Sequence, residues 1–395
     1  MTIPKNVVVS ARGVTHPTYI YDLGILRERL ALLEKIPVRR KRVHFATMAN
    51  DHPLILAEIA AAGHGAFVNS LAHLDLAQAA GFAPQRIIYA ASNMTRVEIE
   101  RCLHDGVHLV VDSIGQLSAV DELAQPGMGV GIRVNVGSAL DVPEIAFDPN
   151  YRFGILPNEL PEMLRCASRT RIRGIHAYFG TDLRDPNVLI EGLRRLGTVG
   201  ADLPHLTYID GGGGFGVADD PSEPNFNLDA YGEGARKVME TVERHAGRPL
   251  ELVIEPGRWL VAPIAWFLTR VVDVKRRTDR IFAGTSASVA QFPRMLLHPE
   301  KAHHACEILE ADARKSCDRP VWLCGNSTYS RDFLARGAAL PEPRPGDLIA
   351  FHNAGAYCRS MLTRFLGKDA PDEIVLNASA TRPGALTQWN LQAAE

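Results

Sequence analysis

Asp210 is followed by four glycines and then by Phe215-Gly216, and further along the chain reads Glu255-Pro-Gly-Arg258. Glycine gives up more backbone freedom on folding than any other residue, so a run of them weakens an ordinary element. What such a run permits is close approach of main-chain N–H groups to something large and negative, usually a phosphate. A mobile loop is the other use of a glycine run. Leu206 to Ile209 reads as a short buried strand directly before it, and with Asp210 at the strand's end this favours the phosphate reading. No helix pattern opens straight after the glycines, so this is not the dinucleotide fingerprint.

Those residues need a frame. Leu23 to Ile36 carries apolar residues at helical spacing, and from there a strand-then-helix unit repeats. Strands are expected at Val43 to Ala46, Ala66 to Val68, Arg86 to Ala90, Leu109 to Val111, Val130 to Val136, Ile172 to Tyr178, Leu206 to Ile209 and Leu250 to Ile254. Eight such units fit a parallel (β/α)8 TIM-type barrel, and a doubly wound open sheet is the runner-up. Residues 1 to 20 read as one or two strands. After Arg258 the pattern turns strand-like, with Trp259 to Val274 first, between Pro- and Gly-rich turns. The expected organisation is therefore a barrel over 21–262, with 1–20 and 263–395 forming a mainly β domain that completes the site across a dimer interface. Active sites of such barrels lie at the C-terminal strand ends. Here those ends are Met48 and Asn50, Asn69, Asn93, Asp112, Arg133, His176 and Tyr178, Asp210 with its glycines, and Glu255.

A net charge of −2 leaves no basic surface for nucleic acid, and Arg39-Arg-Lys-Arg42 reads as a solvated link into a strand. The six cysteines show no paired or zinc-like spacing. Apolar runs are too short to cross a bilayer and no signal segment opens the chain. A cytoplasmic protein with reduced thiols and no membrane or nucleic-acid partner is expected.

Taken together, these motifs resemble the alanine-racemase-like fold-type III enzymes that use pyridoxal phosphate. The resemblance is closer to their decarboxylase branch, which acts on diaminopimelate, ornithine or arginine. Gly212-Gly-Gly-Phe-Gly216 is similar to that family's phosphate-cradling loop. Glu255-Pro-Gly-Arg258 is similar to its E-P-G-R motif, whose glutamate faces the pyridine nitrogen. Gly346-Asp-Leu-Ile and Ala354-Gly-Ala-Tyr357 match a late strand and a turn whose tyrosine reaches the phosphate. Phe153-Gly154 and Gly180-Thr181 match the F-G-I and H-x-G-S segments, with Thr181 for serine. The resemblance implies cofactor contacts from Thr181, Gly212, Gly213, Gly214, Glu255, Gly257, Arg258 and Tyr357. A carboxylate beside the pyridine nitrogen keeps it protonated, which makes the ring an electron sink. An ion pair between Glu255 and Arg258 is the alternative use of that carboxylate.

Departures are concentrated in the catalytic positions. In His44-Phe-Ala-Thr-Met-Ala-Asn50 the family's Schiff-base lysine is replaced by Met48. A thioether can neither form an imine nor shuttle a proton. Lys41 lies seven residues earlier, at the other end of a strand rising about 3.3 Å per residue and on the opposite face. The family's ring-stacking histidine falls on Tyr178, whose ring can still stack. Its catalytic cysteine falls on Thr328, with Gly325, Ser330 and Asp332 as anchors. A packing methionine, or an artificial Lys-to-Met change, would explain Met48 alone but not Tyr178 or Thr328.

Asp332 matches an acid that reaches a neighbouring protomer's site, which implies a head-to-tail homodimer; a capping aspartate is the other reading. His298, His303, His304 and Cys306 on one short helix lack a paired carboxylate, so no metal is expected. No G-x-S-x-G is present. The expected function is a decarboxylase-like lyase acting on an amino acid or a derived amine without a lysine-bound internal aldimine. It would hold pyridoxal phosphate non-covalently or use no organic cofactor. The alternative is a catalytically inactive homologue acting as a ligand-binding or regulatory partner.

Overall fold

The computed structural model describes residues 3–137, 151–220, 222–298, 302–311 and 314–378. The chain divides into two compact units, one of Met1–Arg29, Val217–Pro224 and Arg258–Ala378, the other of Leu30–Gly216 and Asn225–Gly257. After the first strand, β1 (Thr18–Asp22), eight strands close a parallel barrel in sequence order. They are β2 (Lys41–Ala46), β3 (Gly65–Val68), β4 (Ile87–Tyr89), β5 (His108–Val111), β6 (Gly129–Arg133), β7 (Arg171–His176), β8 (Tyr208–Asp210) and β9 (Glu251–Ile254).

Several barrel helices start where a side-chain oxygen can take a first-turn amide. Ser70, Thr95, Ser113, Asp185 and Asn227 each accept from a backbone N–H one to three residues into the helix that follows. Each cap is worth about 1 kcal/mol and fixes where the chain turns from strand to helix. Inside the barrel, Phe67, Ile88, Ala90, Val110, Tyr208 and Val253 form one buried cluster, and Met48 packs against it. Tyr208 fits because Gly131 and Gly174 face it without a side chain; a Cβ on either would collide with the phenol.

The β unit is built on a sheet in the order β12-β15-β10-β11-β13-β14. Its strands are β10 (Ala265–Arg276), β11 (Ile281–Thr285), β12 (Cys306–Ile308), β13 (Val321–Cys324), β14 (Phe333–Ala338), β15 (Leu348–Phe351) and β16 (Asp372–Leu376). β1 pairs antiparallel with β10, Tyr19 opposite Phe267, and parallel with β16. Phe267 stacks on Phe292 with centroids 4.7 Å apart, and Phe351 closes on the same pair. Burying each such ring contributes about 1.5–3 kcal/mol.

Three local expectations need correction. Lys5–Ala11 is a helix rather than a strand. Val7 and Ala11, four residues apart, enter one cluster with Ile3, Val14, Ile20 and Trp266, and that burial outweighs the β preference of three valines. Arg258–Val261 is a helical turn, and the strand expected from Trp259 starts only at Ala265, after Pro263. His303 and His304 lie in irregular chain and Cys306 opens β12, so they share no helix.

Candidate active site at the barrel mouth

The C-terminal strand ends carry a buried polar chain running across the barrel. Asp112 follows β5 and accepts from Arg133 Nη1 at 3.2 Å and from the Gly154 amide at 2.9 Å. Arg133, at the end of β6, donates from Nε to His176 Nδ1 at 3.1 Å. A guanidinium can only donate, so that imidazole is neutral and carries its proton on Nε2. Burial keeps it so, pushing the His176 pKa down to about 4. Nε2 faces Glu255 Oε2 at 3.6 Å.

Glu255 and Asp210 then form a carboxyl pair. Burial raises Glu255 to about 7. Burial, followed by the nearby Glu255 charge, raises Asp210 well above the usual carboxylate range. Two like charges this close in a dry site cannot both ionise, so the pair shares one retained proton. Glu255 Oε1 and Asp210 Oδ2 are buried and, outside the pair itself, have no hydrogen-bond partner among the described residues. His176, Asp210 and Glu255 offer metal-type ligand atoms within 4.8 Å of one another, a grouping absent from the sequence reading. Arg133, bonded to one of them, sets a positive charge beside a would-be cation.

The glycine loop lies beside this pair. Asp210 Oδ1 accepts from the Gly212 amide at 2.9 Å, and the Glu255 amide donates to Gly212 O at 2.8 Å. Gly212 (φ +62°) and Gly214 (φ +91°) are left-handed; a Cβ there would stand 2.6 Å from Ala177 O and from Gly180 O respectively. At Gly213 a Cβ would strike Glu255 O. The amides of Gly213 and Gly214 make no hydrogen bond among the described residues. Leu183 clamps the loop from outside, donating to Gly214 O at 2.8 Å and accepting from Gly216 N at 2.9 Å. That brings the exposed Thr181, two residues before Leu183, alongside the glycines.

Met48 stands in a turn of 3-10 helix, Thr47–Ala49, just past β2. Thr47 Oγ1 anchors this turn by donating to Phe67 O at 3.0 Å. Gly257 presses on it, since a Cβ there would sit 3.0 Å from Ala49 Cβ. The lysines of the barrel unit are Lys35, Lys41 and Lys237. Lys35 and Lys237 are exposed on the outside, and Lys41 Nζ donates to Glu34 O at 2.9 Å, at the opposite end of β2 from Met48. Tyr178 follows β7 and meets Phe153 edge to face at 5.9 Å, with the Arg133 guanidinium 5.0 Å from the Phe153 ring.

In the β unit, Arg258 and Tyr357 come together, with the guanidinium carbon 4.7 Å from the ring centre. Gly355 allows this by lying directly on Val261 O. Thr328 and Asp332 occupy another loop, between β13 and β14. Thr328 is exposed, whereas Asp332 is buried and its carboxylate accepts from the Val289 amide at 2.8 Å and from Ser327. The sequence reading missed a buried network in this unit. Arg294 donates to Asp219 Oδ2 at 2.9 Å and to His304 Nε2 at 3.2 Å, and His304 Nδ1 donates to His352 O at 2.8 Å. Its members carry no periodic signal, and His304 read as a weak metal ligand.

A sequence model described as the pyridoxal-dependent decarboxylase, pyridoxal binding domain, matches residues 24–262. The chain belongs to the pyridoxal-dependent decarboxylases. Diaminopimelate decarboxylase of Methanothermobacter thermautotrophicus is 30% identical over 377 residues, covering 91% of this chain and 86% of that protein. Its counterpart from Deinococcus radiodurans is 30% identical over 365 residues, covering 91% and 89%. Among solved structures, diaminopimelate decarboxylase from Helicobacter pylori complexed with L-lysine superposes with a TM-score of 0.85 at 26% identity, over 95% of both chains. Lysine/ornithine decarboxylase from Vibrio vulnificus, at 19% identity and TM-score 0.82, covers 96% of this chain and all 100% of its own, and shows the shared fold. Membership among the pyridoxal-dependent decarboxylases makes the chain a lyase of amino-acid metabolism with a pyridoxal-type pocket. No described helix is long and apolar enough to cross a membrane.

Proposed function

We propose that this pyridoxal-dependent decarboxylase homologue acts on an amino acid or a derived amine while holding pyridoxal phosphate without a covalent tether. The observation that carries the reading is Met48 where the β2 end would present an amine, with every lysine of the barrel unit directed elsewhere.

The residues present fit the cofactor. Glu255 Oε1 is a buried oxygen with no partner outside its pair with Asp210, suited to a protonated pyridine nitrogen. Gly213 and Gly214 offer unused amides where no Cβ could stand. Within the other unit Arg258 and Tyr357 lie together and are of the types, charged and neutral, that phosphate oxygens take as donors. The ring, when bound, supplies an electron sink for the carbanion left by loss of carbon dioxide. Tyr178 gives an aromatic face for stacking, and His176, neutral and fixed by Arg133, turns its Nε2 towards Glu255 Oε2 at 3.6 Å. Thr328 gives a hydroxyl in place of a thiol. Asp332, bonded to Ser327 in its own loop and to the Val289 amide outside it, positions that loop. The proposal extends to a homodimer, and to a reducing, cytoplasmic setting with which six free cysteines are in keeping.

The test is borohydride reduction of purified protein saturated with pyridoxal phosphate, followed by intact-mass measurement. The expected result is binding seen as a thermal shift and an aldehyde absorbance band, both removed by dialysis, with no added mass. Met48→Lys should gain the mass of the reduced cofactor. Added mass on any lysine of the wild-type chain would overturn the proposal. Retained cofactor binding with no turnover of any amino acid would favour the regulatory reading instead.

A further inference from the structure

The barrel has a second concavity, at the N-terminal ends of its strands, away from the glycine loop. It encloses about 400 Å³, and its polar lining is Arg42, Gln85, His108, Arg173, Thr207 and the hydroxyl end of Tyr208. Among the described residues no carboxylate lines it.

The two arginines are held at its edge by identifiable contacts. Arg173 lays its methylene stem on Gly129, where a Cβ would approach the Arg173 Cδ to 2.5 Å. Thr207 Oγ1 donates to the Arg173 carbonyl at 3.0 Å. The Arg173 guanidinium forms no ion pair or hydrogen bond among the described residues. Arg42 spends Nε on Glu251, at 2.6 Å, and keeps its two terminal nitrogens. At the floor, His108 Nε2 lies 2.8 Å from the Tyr208 hydroxyl. Burial first, and then the Arg42 charge, hold His108 down to about 4, so it is neutral at pH 7 and the cavity's cations are the arginines.

We infer that this basal cavity binds a small oxyanion, the phosphate or carboxylate group of a metabolite. A forked guanidinium with no protein partner among the described residues, a second with free terminal nitrogens, and a lining without a carboxylate are the donor set such a group requires. The site is linked to the mouth by one strand: Tyr208 and Asp210 sit two residues apart on β8 and so share its inward face. The inference does not depend on how the mouth holds its cofactor.

Isothermal titration calorimetry of the full chain with orthophosphate, and separately with succinate, tests it. At least one anion should bind, and the tighter one identifies the group recognised. Arg173→Gln should weaken that binding about tenfold or more, the worth of one charge-assisted hydrogen bond. Arg171→Gln, on the same strand but outside the cavity, should leave it unchanged. Because the Arg173 head is exposed, the variant should melt with the wild type. Binding of neither anion, or binding unaltered in Arg173→Gln, overturns the inference. Binding lost in Gly212→Ala but kept in Arg173→Gln would locate the anion at the glycine loop and equally overturn it.

Discussion

Arg133 and His176 meet through a hydrogen bond of 3.1 Å, and its direction sets the tautomer of the imidazole. Because the arginine can only give a proton to Nδ1, the imidazole directs an N–H towards Glu255, which shares one retained proton with Asp210.

Stability should respond to pH through His176 and Glu255 in opposite senses. His176 is lowered from 6.5 to about 4, so between those values the unfolded chain binds a proton the folded one refuses, and stability rises with pH. Glu255 is raised from 4.5 to about 7, so in that window the folded chain holds the extra proton and stability falls as pH rises. Other buried groups add their own slopes, Asp210 to the fall and His108 to the rise. Taken as a difference from the wild type, His176→Gln should remove a rising contribution of up to about 1.4 kcal/mol per pH unit between about 4 and 6.5. Glu255→Gln should remove a falling one between 4.5 and about 7. Urea midpoints across pH check this, and parallel profiles for the two variants would refute it.

Glu255→Gln should also weaken pyridoxal phosphate binding by about ten- to a hundredfold, since a charge-assisted hydrogen bond becomes a neutral one. Titration followed by absorbance reads the change. An unaltered dissociation constant would mean that Glu255 does not face the ring nitrogen.

Gly212→Ala should displace the loop, because a Cβ there stands 2.6 Å from Ala177 O at a left-handed φ of +62°. A loss of about 1–3 kcal/mol in stability is expected, together with loss of cofactor binding. Denaturant melts and cofactor titration check both. Full binding in this variant would remove the loop from the phosphate site.

Arg294→Met should destabilise the β unit by about 3–5 kcal/mol, because it leaves the Asp219 carboxylate buried without its cation. Adding Asp219→Asn should recover part of the loss. If the double variant is no more stable than the single one, the ion pair is not what the arginine contributes.

Much of this molecule was legible in its residues. Eight strand–helix repeats gave the barrel, because each unit is stated locally by apolar spacing and a capping side chain. The glycine loop and Glu255-Pro-Gly-Arg258 were legible because backbone approach and charge are properties of short segments. Lys5–Ala11 was not, since seven residues cannot tell a strand from a helix when the deciding term is Val7 and Ala11 settling against a distant sheet. Nor was the chain from Asp112 through Arg133 and His176 to the carboxyl pair, whose members sit at the ends of five different strands. Only closure of the barrel sets those ends within bonding distance and removes the water between them. That exclusion, which no single segment of the sequence encodes, moves His176 down and Glu255 up.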